Sequence, residues 1–242
     1  MKKLSVLIIA LAFVSTTQAQ WWGSDKIKGN GKVITENRST GDYDEVTLQG
    51  WMDVELVQGT EGKLVISGES NLLEYIETEV KGGELVIKQK KGVQLKPTSG
   101  ETILIKVPVE AISGANVVGS GDMIGKMKLK ADFFETSVTG SGDLVIEVEA
   151  RDTNAKVTGS GDLSIKGSTK TLDCRVSGSG DLDARNLVAE NVDAKVAGSG
   201  DISVHATQSL KASVAGSGDI TYKGDPEMRD INKAGSGDVT KG

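Results

Sequence analysis

Cysteine and histidine each occur once in the 242 residues, at Cys174 and His205, and only three residues are proline. A single cysteine excludes an intramolecular disulfide and any Cys-rich zinc site. A lone histidine cannot build a hydrolytic zinc centre, which takes three protein ligands. Aromatic residues make up 4% of the chain, and its later half offers only Phe133, Phe134 and Tyr222. That is too few for the aromatic platforms on which carbohydrate-active clefts stack sugar rings. No run of apolar residues reaches the length of a membrane-spanning helix. Basic residues number 28 against 34 acidic ones, a net charge of −6. No clustered basic face appears, so nucleic acid and anionic membranes are not expected partners.

The first residues read as an export signal. Lys2 and Lys3 precede an eleven-residue apolar run, Leu4 to Val14, and Thr17-Gln18-Ala19 supplies small residues for cleavage. Residues 1–19 are therefore expected to be removed. Residues 20–31, opening with Gln20-Trp21-Trp22, form a mature N-terminal linker with no cysteine for a lipid anchor. Without Lys2 and Lys3 the balance becomes 26 to 34.

The dominant feature is repetition. Gly-Ser-Gly-Asp occurs seven times, ending at Asp122, Asp143, Asp162, Asp181, Asp201, Asp219 and Asp238, at intervals of 21, 19, 19, 20, 18 and 19 residues. Aligned on the aspartate, the position one residue later is Met123, Leu144, Leu163, Leu182, Ile202, Ile220 or Val239. Five before it stands valine in six copies, from Val117 to Val214, and Lys233 in the last. Seven before it the residues are mostly small, Cys174 among them, while intervening positions such as Lys156, Arg175 and Lys195 are polar. Period-two alternation implies strands with one buried face. A near-constant period with one turn per copy favours equivalent residues stacking above one another. Residues 111–242 are thus predicted to form a right-handed parallel β-helix of about 19-residue coils. Lys233, Lys241 and Asp225-Pro226 in its last coil should act as a polar cap.

Residues 32–110 carry longer alternating segments, including Glu45–Leu48, Val54–Val57, Leu64–Ile66, Glu84–Ile87 and Ile103–Val107. Turn signals at Gln58-Gly59, Lys81-Gly82-Gly83 and Pro97-Thr98-Ser99-Gly100 divide them. This N-terminal β-strand half should pack on the first coil and cover that edge, so that 32–242 form one continuous all-β domain.

The run Tyr43-Asp44-Glu45-Val46, then Met52 to Gly59, Asn71-Leu72-Leu73, Glu84 to Ile87 and Ile105-Lys106-Val107-Pro108, followed by the Gly-Ser-Gly-Asp coils, resembles the putative auto-transporter adhesin, head GIN domain family. The likeness covers roughly residues 40–240. It implies an exported protein of Bacteroidetes-type bacteria with a β-solenoid fold, and it carries over no catalytic residue.

Seven stacked aspartates need compensation, because unit charges about 4.7 Å apart repel by roughly 0.9 kcal/mol even in water. One solution is that each carboxylate accepts backbone N–H bonds at its own or a neighbouring turn. The other is calcium between coils, ligated by Asp122, Asp143, Asp162, Asp181, Asp201, Asp219 and Asp238, although the spacing differs from that of calcium-binding nonapeptide repeats. The first is adopted. His205 falls on an outward phase, Cys174 in a core column and Phe134 on an inward phase. The Gly-Ser-Gly-Asp turn precedes no helix, so it is no phosphate loop. No catalytic residue, metal ligand or cofactor is assigned. Sequence alone supports an exported adhesin-like module for an unidentified protein or glycan partner, in the periplasm, on the outer-membrane surface or outside the cell. A calcium-binding or carbohydrate-processing β-helix is the alternative.

Overall fold

The computed structural model describes residues 25–242. The export signal and Trp21-Trp22 lie outside the described residues. The N-terminal half contributes β1 (Asp25–Lys28), β2 (Val33–Ser39), β3 (Glu45–Gly50), β4 (Asp53–Gln58) and β5 (Lys63–Glu69). A 3-10 turn at Leu73–Tyr75 leads to β6 (Ile76–Lys81), β7 (Glu84–Gln89), β8 (Val93–Lys96) and β9 (Leu104–Val109). The repeat half follows with β10 (Gly114–Gly119), β11 (Met123–Gly140), β12 (Leu144–Gly159), β13 (Leu163–Gly178) and β14 (Leu182–Gly198). It ends with β15 (Ile202–Gly216), β16 (Ile220–Lys223), β17 (Met228–Gly235) and β18 (Val239–Lys241).

The protein is an all-β solenoid of about seven turns with coils of about 19 residues. All the coil-to-coil pairings are parallel, and equivalent turn glycines face each other from Gly119↔Gly140 to Gly216↔Gly235. Each of β11 to β15 bends round its whole coil, where the repeat alone suggested two strands per turn. Backbone pairing holds through the corners because the strand has only one break, at Gly-Ser-Gly-Asp. The core runs up the middle. Leu144, Leu163, Leu182, Ile202 and Ile220 form one apolar column, and Val138, Val157, Val176, Val196 and Val214 another, all at most 2% exposed. Alternation slips at Lys170-Thr171, two successive exposed residues, which marks a corner.

Unequal coil lengths are absorbed away from the turn edge. Register shifts fall between Ile124 and Lys128, Ser164 and Lys166, Ala184 and Val188, and Ala189 and Asn191. The segment leading into each turn stays in step throughout. For example, Asp173 to Gly178 pairs residue for residue with Asp193 to Gly198.

The N-terminal half joins this ladder as well as covering it. β3 pairs in parallel with β10, and β4 with the start of β11, so Gly50-Trp51-Met52-Asp53 occupies the place of a further turn. Beyond it β3 pairs with β7 and β4 with β9, still in parallel, and only then does the pairing turn antiparallel, β6 on β7, β5 on β9 and β2 on β5, which ends the parallel stack. At the far end every residue of β17 is exposed. There Lys233 pairs with Asp238 at 2.7 Å and Lys241 with Asp225 at 3.0 Å, so the expected charged residues do occupy the last coil. Charged side chains at a ladder's end oppose further strand addition.

Candidate functional site

The turn edge is set by glycine geometry. The first glycine of each Gly-Ser-Gly-Asp has φ between +121° and +143°, a region that side chains rarely enter. The second is excluded from substitution for a different reason. A Cβ on Gly161 would sit 2.1 Å from the carbonyl oxygen of Gly142 in the preceding coil, and the same holds from Gly142 to Gly237 at 2.0–2.1 Å. Turns therefore stack in backbone contact. Each serine N–H donates to the first glycine's carbonyl one coil back at 2.8 Å, as Ser160 does to Gly140.

The aspartate column resolves its own repulsion. Oδ1 of Asp122 accepts the backbone N–H of Asp143 at 3.0 Å, and the pattern continues through Asp162, Asp181, Asp201 and Asp219 to the N–H of Asp238, at 2.7–3.0 Å. Among the described residues no coil stacks on Asp238, and there the Lys233 ammonium donates to its Oδ1. The seven residues weighed as a calcium column thus form a carboxylate-to-amide ladder along one exposed edge. Among the described residues no three His, Cys, Asp or Glu side chains converge as a metal site.

The other singled-out residues are scattered. His205 is half-buried on the outer side, opposite Val188 on one neighbouring strand and Lys223 on the other. Cys174 is fully buried, and burial first, then the nearby Asp173 and Asp193 charges, push its thiol upward. It is held protonated and inert. Phe134 is buried while Phe133 is 47% exposed on the outside.

Sequence reasoning missed two arrangements. Glu69, 1% exposed, gathers the start of the described chain. Its carboxylate accepts from the Thr98 hydroxyl at 2.7 Å, the Thr98 N–H at 2.8 Å and the Gly31 N–H. The Thr98 hydroxyl is the main cause that holds its pKa below the usual carboxylate range, against desolvation that pushes it up. An acidic residue ending a strand gives no hint of this in the sequence.

The second is the flat outer face leading into the turns, where strands stay in perfect register. Its middle column places Lys156, Arg175 and Lys195 on consecutive strands, roughly 4.8 Å apart. On one side lies a column of small residues, Thr139, Thr158, Ser177, Ala197, Ala215 and Ala234. On the other, Asp173 bonds Arg175 at 3.0 Å and Asp193 bonds Lys195 at 2.8 Å. A groove of about 470 Å³ lined by Lys156, Arg175, Ser177, Lys195, Ala197 and Ser213 runs along the axis. A second hollow, about 400 Å³, extends it past Glu135 and shares Lys156 and Arg175. The outward phase of these cations was legible; their alignment needed the register.

No curated protein matches the chain. Among solved structures it is similar to a putative adhesin from Bacteroides fragilis, 27% identical, with a TM-score of 0.80 over 89% of this chain and 99% of that one. It is also similar to a putative lipid binding protein from Parabacteroides distasonis, 30% identical, with a TM-score of 0.75 over 90% of this chain and all of that one. A putative adhesin from the same organism is 28% identical, with a TM-score of 0.72 and coverage of 90% and 100%. The family points to a surface or exported protein, and no helix among the described residues is long and apolar enough to cross a membrane. The family model for the putative auto-transporter adhesin, head GIN domain, matches residues 42–226, and the chain belongs to that family.

Proposed function

We propose that the protein is an exported, non-catalytic adhesin-like module that presents rigid solenoid faces to a protein or glycan. The observation that carries this reading is the in-register outer face. Its backbone is fixed by parallel ladders on both sides, so its side chains are pre-organised for an extended partner at little entropic cost. The family's adhesin description supports it. Residues 32–242 act as one unit in this reading, because the ladder crosses from β10 to β3 without a break. Removal of residues 1–19 would deliver it to the periplasm, the outer-membrane surface or the medium. The aspartate column is structural, with no cation required.

The reading is tested by displaying the purified protein against arrays of glycans and surface proteins, with a reducing-sugar release assay in parallel. Saturable binding without sugar release is expected. Turnover of a glycan would overturn it. Intact mass of the exported protein reports the cleavage point, and retention of Met1 to Ala19 would remove the export step.

A further inference from the structure

The face holding Lys156, Arg175 and Lys195 has a character that names its partner, and the inference rests on the adhesin-like reading above. We infer that this face is a docking track for an acidic polysaccharide, a uronate-bearing glycan lying along the solenoid axis with successive carboxylates against the three cations.

Charge comes first. The protein as a whole is acidic, yet this row puts three cations on three consecutive strands. Lys156 has no carboxylate within ion-pair distance among the described residues, since its strand carries Asn154 where the next two carry Asp173 and Asp193. Arg175 and Lys195 are paired sideways, each with an acid two residues earlier on its own strand. Those contacts leave the outward side of each cation open to the groove, with the small-residue column as a floor beside it. Exposed pairs of this kind contribute little and exchange readily with another anion.

Shape is the second observation. The groove crosses the strands and runs from coil to coil, a shape that suits a linear polymer lying along the axis. A folded protein would need an aromatic or large aliphatic anchor, and from Thr139 to Ala234 the flanking column holds nothing larger than threonine.

The experiment measures binding of the purified protein to polygalacturonate, to its fully methyl-esterified form and to poly-glutamate. Polygalacturonate is expected to bind, more weakly as ionic strength rises, and esterification should abolish binding. Lys156→Ala, Arg175→Ala and Lys195→Ala combined should weaken it by about tenfold or more, and Lys156→Ala alone measurably. Lys166→Ala with Arg185→Ala, on other columns, should leave it unchanged, and melting curves confirm that the variants fold. Equal binding of the esterified glycan, or of poly-glutamate, would overturn the glycan assignment. Unchanged binding in the triple variant would overturn the track while leaving the adhesin reading intact. If no glycan and no surface protein is retained at all, both fall.

Discussion

Gly161→Ala tests whether the turns stack in backbone contact. The added Cβ would lie 2.1 Å from the Gly142 carbonyl oxygen and 3.0 Å from the Ser141 carbonyl carbon. Neither atom is a flexible side-chain tip, so the two coils must separate by about 1 Å from a normal spacing of about 4.8 Å. Separation stretches the bonds that Ser160 and Gly161 donate to Gly140, at 2.8 and 3.0 Å, and the bond from Asp162 N–H to Asp143 Oδ1, at 3.0 Å. Three bonds at about 1 kcal/mol each give a destabilisation of about 3 kcal/mol. Gly41 is the control, for it is exposed, has no positive φ and a Cβ there meets nothing within 4 Å. Gly41→Ala should change stability by less than about 0.5 kcal/mol. Urea denaturation followed by both circular dichroism and tryptophan fluorescence reads the difference, and the two probes check that unfolding is cooperative. Equal midpoints for the two variants would refute the close stacking.

Asp162→Ala removes the acceptor for the Asp181 N–H and should cost about 1 kcal/mol, while Asp162→Asn, which keeps an oxygen there, should cost less. A chelator should leave the melting temperature of either variant and of the parent unchanged; a drop of several degrees would put a bound cation in the column. Val176→Asp places a carboxylate in the valine column and should cost several kcal/mol, whereas exposed Lys166→Ser should cost under about 0.5 kcal/mol by the same denaturation assay. Glu69 has a lowered folded pKa. Its contribution is therefore fully present above the unfolded value of about 4.3 and is lost as pH falls through the lower folded one. Melting curves in that acid range should converge for the parent and Glu69→Gln, and a gap that widens with acid would refute the assignment.

The repeat half was legible because its constraints recur. A turn that must place glycine over glycine prints the same tetrapeptide each time, and its inward neighbours print the columns. Gly50-Trp51-Met52-Asp53 escaped notice for a physical reason. The second glycine is demanded by the turn preceding it in the stack, as the Gly121 Cβ position shows by striking the Met52 carbonyl oxygen at 2.0 Å. Among the described residues no such turn stacks against Met52, so a large side chain is allowed there and the signature disappears. The apolar columns still carry through, with Val46, Leu48, Val54 and Leu56 at the positions later filled by Ala115, Val117, Met123 and Gly125. The bends within each long strand were hidden because alternation alone does not say where a chain turns. The alternation slips at paired outward residues, Asp132-Phe133, Lys170-Thr171, Arg185-Asn186 and Thr207-Gln208, but such a slip reads as a corner only once the coil is known. The cation row was visible as three polar residues, but its meaning lies in registry across strands, which no single coil contains.

The neighbour-only contacts of the coils also set how the molecule bears load. A coil such as β13 is held to β12 and β14 alone. Tension applied to the chain beyond β18 therefore opens the ladder one bond at a time, starting from the exposed final coil, and does not shear the whole sheet at once. Each 19-residue coil that peels away releases roughly 60 Å of slack chain. A rod built this way yields in steps under a pull at that end, while the remaining coils keep their faces intact.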